Sequence, residues 1–125
     1  VYVLCTAGAR SRRLITEILS LIDNAEKPGS KEVIIYHSEE EEARRGFMFE
    51  LLQRVVSQQV APAFSKTDLI LTVKVLPDPL IEGLIRLKRE HKFECIYLGA
   101  GMNKEQALEH ANDIETNLGV RTQVI

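Results

Sequence analysis

Two kinds of apolar block alternate along the chain. Short continuous runs predict strands at Tyr2-Val3-Leu4-Cys5-Thr6, Val33-Ile34-Ile35-Tyr36, Leu69 to Val75, Glu94 to Leu98 and Thr122 to Ile125. Between them, apolar residues recur at helical spacing: Leu14, Ile15, Ile18, Leu19 and Ile22; then Phe47, Leu51, Leu52, Val55 and Val56. The third set is Ile81, Leu84 and Ile85, with Lys88 on the same face, and the fourth is Ala107, Ala111, Ile114 and Leu118. The third strand ends in alternation (Thr72-Val73-Lys74-Val75), which predicts one more exposed face.

Punctuation residues support these boundaries. Ser11 is placed to accept backbone N–H bonds at the start of the first helix, and Pro28-Gly29 to stop the segment. Pro62 is expected to close the second helix, since it offers no N–H and crowds the preceding turn. Asp78 before Pro79 predicts a capping carboxylate followed by a first helical residue with its φ already set. Asn103 with Gln106 predicts a capping box, and Gly119 suits the left-handed residue after the fourth helix.

The order β-α-β-α-β-α-β-α-β predicts an α/β fold: a doubly wound five-stranded parallel sheet flanked by helices on both faces. In such sheets the loops after the strands gather at one rim, where ligands bind.

At 125 residues, 45% hydrophobic and 27% charged, the chain fits one soluble domain. Its formal net charge of −2 supplies no field to recruit nucleic acid. No apolar run approaches the roughly 20 residues that span a bilayer. There is no initiator Met, and both ends fall inside strand patterns. Residues 1–125 are therefore expected to be a single domain cut from a longer protein. Cys5 lies late in its strand and Cys95 early, so the pair is expected to be two buried, reduced thiols of a cytoplasmic protein.

Motifs narrow the doubly wound families. The first turn, Thr6-Ala7-Gly8-Ala9-Arg10-Ser11, has one glycine where a dinucleotide fold needs G-x-G-x-x-G. The Walker phosphate loop, C-x-x-C and the acidic strand end of a receiver domain are also missing. Histidines His37, His91 and His110 have no metal-ligand spacing, and no nucleophile motif surrounds Thr6, Ser11 or Ser38. A metal site and catalysis are not expected.

Four places carry a resemblance. They are the turn Thr6 to Ser11 running into Arg12-Arg13, Ile35-Tyr36-His37 ending strand two, Val75 through Ile81 with Pro79, and Ile96-Tyr97-Leu98-Gly99-Ala100-Gly101. In order and spacing these are similar to the universal stress protein family, over nearly the whole chain. The resemblance implies the adenine-nucleotide alpha-hydrolase-like arrangement with strand order 3-2-1-4-5. It implies a ligand rim made of Thr6, Ala7, Gly8, Arg10, Arg12, His37, Ser38, Leu76, Pro77, Gly99, Gly101, Met102 and Asn103. It also implies a homodimer paired through the last strand, at Arg121, Thr122, Gln123, Val124 and Ile125.

The phosphate signature departs from the family's. ATP-binding members carry G-x-x-G, nine residues, then G-[ST], whereas Gly99 and Gly101 stand two apart and no glycine follows until Gly119. Glu105 or Glu109 beside a triphosphate would repel it unless Mg²⁺ intervened. Arg10, Arg12 and Arg13 suit either an anion clamp or a solvated helix face, and Glu39 to Glu42 either a solvated loop or a docking patch.

The expectation is a non-catalytic regulatory domain mediating dimerisation or protein interaction, attached in one version to the cytosolic side of a membrane transporter. The alternative is an adenine-nucleotide (ATP or AMP) sensor, with Mg²⁺ entering only alongside the nucleotide.

Overall fold

In a computed structural model of the chain, residues 1–5, 12–24, 30–99 and 104–125 are described, without the side chains of Arg12 and Leu14. The strands are β1 (Tyr2–Cys5), β2 (Lys31–Ser38), β3 (Leu69–Leu76), β4 (Cys95–Leu98) and β5 (Thr122–Val124). The helices are α1 (Arg12–Asp23), α2 (Glu42–Val55), α3 (Leu80–Glu90) and α4 (Lys104–Leu118). All strand pairings are parallel, in the order β3-β2-β1-β4-β5.

The helices divide between the two faces. On one, Ile15, Ile18, Leu19 and Ile22 of α1 and Leu52 and Val55 of α2 pack on Leu4, Val33 and Ile35. On the other, Leu84 and Leu87 of α3 and Ala107, Ala111, Ile114 and Leu118 of α4 pack on Val3, Ile34 and Ile96. Alternate β1 residues therefore serve opposite cores, which is why this strand reads as an unbroken apolar run.

The α1 pattern holds from Ile15 through Ile22, Leu14 lying outside the described side chains, and the α4 pattern holds throughout. Gly119 has φ +66°, and its N–H donates to the Glu115 carbonyl at 2.9 Å, the bond that ends a helix with a left-handed residue. β2 runs longer than its apolar run, from Lys31 through His37 and Ser38, because β3 supplies a partner at every position. β4 begins one residue later than predicted and β5 ends one earlier.

Four expectations require correction. Phe47 is 64% exposed and does not face the core; none of residues 42–50 is buried, and α2 enters the core only from Leu52. Pro62 does not simply close this helix. α2 gives way at Val56 to a π-turn through Val60, where Ala61 donates to the Val56 carbonyl, and then to a 3-10 turn at Ala61–Phe64. The proline can neither donate to Gln58 nor clear its carbonyl, so the chain widens before it.

Asp78 is not the cap of α3. Pro79, extended at ψ 158°, occupies that position with no side-chain bond, and the Asp78 carboxylate instead lies 3.3 Å from Arg86 Nη1. Lys88 leaves the sheet-facing side, where Leu87 is buried, and its ammonium caps α4 by donating to the Leu118 carbonyl.

Candidate functional site

β1 is the turning point of the sheet. The chain leaves it towards the α1 face and leaves the neighbouring β4 towards the α4 face, so the ends of these two strands part. Cys5 stands opposite both Tyr36 and Leu98, and Ser38 opposite Leu76, which brings the ends of four strands to one rim. The buried Gly99 follows directly, its N–H 3.4 Å from the Cys5 carbonyl. This crevice unites His37, Ser38, Leu76 and Gly99 of the expected rim, with Pro77 exposed beside them. Thr6, Ala7, Gly8, Arg10, Gly101, Met102 and Asn103 lie outside the described residues, as do the caps proposed at Ser11 and Asn103 and the Pro28-Gly29 stop. The backbone of Arg12 opens α1.

The polar groups of the rim are engaged with one another. Ser38 Oγ donates to the Asp78 carbonyl at 2.6 Å, and the Glu39 N–H to the Leu76 carbonyl at 2.9 Å. These bonds tie the end of β2 to the β3–α3 turn. His37 Nε2 stands 3.9 Å from Glu39 Oε2. With Glu40 to Glu42 beyond it, this side of the rim is acidic, which disfavours a triphosphate.

Beneath the rim, Tyr36 is wholly buried and its hydroxyl has no hydrogen-bond partner among the described residues. Burial pushes this phenol up to about 12; Ser38 pulls in the other direction, while Cys5, Asp78 and Glu82 add to the rise. Burial likewise pushes the Cys5 thiol up to about 12, so it is protonated and inert at neutral pH. Cys95 stands opposite Tyr2 rather than Cys5, and both cysteines are free.

Sequence reasoning missed Tyr36, and with it Gly83, whose surface meets the Tyr36 hydroxyl. The available signal was a glycine inside an otherwise regular helix pattern, a costly choice unless another group approaches closely. It also missed Glu115 at the other edge of the sheet. The Glu115 Oε1 atom accepts the Thr122 N–H at 2.9 Å.

Among the described residues, no group of three or more His, Cys, Asp or Glu side chains is placed to hold a metal. Nor is any helix there long and apolar enough to cross a membrane.

Compared with models of known families and with curated proteins, the chain finds no match. Among solved structures it is similar to hypothetical protein MJ0577, reported as a structure-based assignment of biochemical function. The TM-score is 0.59 at 12% identity, over 99% of this chain and 94% of that one. The likeness establishes a shared fold, a five-stranded parallel α/β sheet in the strand order that the sequence resemblance implied.

Proposed function

We propose that this chain is a non-catalytic regulatory domain of the universal-stress-protein type that works by pairing with a second copy through β5. The observation that carries this reading is the edge of β5. Ile96 donates to the Arg121 carbonyl and Ile125 to the Leu98 carbonyl, so the N–H groups of Thr122 and Val124 fall on the side away from β4. Glu115 takes the first of these and leaves the second. An edge shielded at one end and open at the other suits a short, specific pairing better than indefinite strand addition.

The acidic, internally bonded rim supports the same reading, because it argues for a scaffold whose triphosphate site has been lost. Free, separated thiols suit a reducing cytoplasmic setting.

Sedimentation of the wild type and of Val124→Pro tests the proposal. The substitution removes an outward N–H and spares the bonds to β4. Wild-type dimers that become folded monomers are expected; a monomeric wild type, or a variant that remains dimeric, overturns the pairing.

The crevice at Cys5 and Gly99 favours the second reading, an adenine-nucleotide sensor. Thermal melting with Mg·ATP or AMP separates the two. A ligand at 100 times its Kd stabilises by about 2.7 kcal/mol, a shift of several degrees. Such a shift supports the sensor, and none at millimolar nucleotide counts against it.

A further inference from the structure

At the rim opposite the crevice, the end of α3, the segment His91 to Phe93 and the Gly119-Val120 turn border a shallow basin of about 540 Å³ that is open to solvent. Its wall is the run Lys88-Arg89-Glu90-His91-Lys92. An ordinary account exists for part of this charge: a helix C-terminus carries about half a negative charge and favours cations. Lys88 fits that account, since its ammonium is committed to the Leu118 carbonyl at the end of α4.

Arg89 sits in the same last turn of α3, and His91 and Lys92 follow it. Among the described residues their side chains make no ion pair or hydrogen bond, although acidic residues outnumber Lys and Arg in the chain by 18 to 16. Glu90 and the end of α3 together offset only part of their charge. The floor at Gly119 is open backbone, with nothing within 4 Å of where a Cβ would stand. A planar guanidinium and a mobile ammonium three residues apart offer a bidentate and a point contact, the combination that suits a phosphate group.

We propose that this basin binds a small, multiply charged phosphate compound, at a site separate from the crevice, with Arg89 and Lys92 as its main contacts and His91 as a third.

Titration of the ¹⁵N-labelled chain with inorganic pyrophosphate at low salt tests this. Amide shifts are expected at residues 89–93 and at Gly119 and Val120, with an apparent affinity that weakens as salt is added. The double variant R89Q/K92Q changes two exposed side chains and should lose about tenfold or more in affinity. Arg54→Gln, on the far side of the sheet, should bind as the wild type does. The proposal is overturned by an absence of shifts at millimolar pyrophosphate, by shifts centred on His37 and Gly99, or by equal losses in R54Q and R89Q/K92Q.

Discussion

At Gly83 the helix and the sheet meet with no side chain between them. A Cβ there would fall inside the Tyr36 hydroxyl, which is itself buried and, among the described residues, without a partner. Gly83→Ala should therefore destabilise the fold by about 1 to 3 kcal/mol, the usual cost of overpacking. Tyr36→Phe removes an oxygen that gains nothing from burial, so its own effect should be small. In the double variant it should recover much of the G83A loss. Urea melts of the two single variants and the double variant check this; additive losses would mean that the two residues do not interact. Nothing in the sequence joins positions 36 and 83, because a helix pattern reveals which side is apolar but not which atom of the sheet that side meets.

The ends of the helices show how far local signals reach. Gly119 was legible because its requirement is local: one residue at φ +66° that frees the chain to turn into β5. Gly119→Ala should cost about 1 kcal/mol, read as a fall in melting temperature, even though no atom lies close enough to clash. Asp78 gave an equally good local signal, and its carboxylate went to Arg86 instead. α2 was misread for a related reason. Its apolar residues continue the helical pattern back to Phe47, but the contacts that bury Leu52 and Val55 do not extend to that turn. Spacing alone carries no information about where the opposing surface stops.

For the whole molecule, the two cores fix how stability responds to alkali. The Cys5 thiol rises from 9.0, and the Tyr36 phenol from 10.0, to about 12 each, and burial moves Tyr2, Cys95 and Tyr97 in the same direction. A raised native pKa means that the unfolded chain releases its proton first. The stability these groups contribute is therefore complete below about pH 9 and falls as pH rises towards 12. Each group steepens that fall by at most about 1.4 kcal/mol per pH unit. Urea denaturation from neutral pH to about pH 11 should show the decline, and Cys5→Ala should make it shallower even though its cavity lowers stability at every pH. A slope unchanged by that substitution would mean that Cys5 is not the protected proton.

The alternation of short apolar runs with helical stripes was enough to determine a parallel α/β sheet and most of its core, since each element's periodicity declares which of its faces avoids water. That the strand ends meet at one rim followed as well, because parallel strands must deliver their ends to one side. Strand order came from likeness to a family, and the decisive contacts came from tertiary structure alone: Tyr36 on Gly83, Ser38 on the Asp78 carbonyl, Glu115 on the Thr122 N–H, and, among the described residues, Arg89 and Lys92 left unpaired around a basin. These partners are remote in sequence or are set by shape. Hydrophobic periodicity records whether a residue seeks the interior, whereas only the packed chain determines what it meets there.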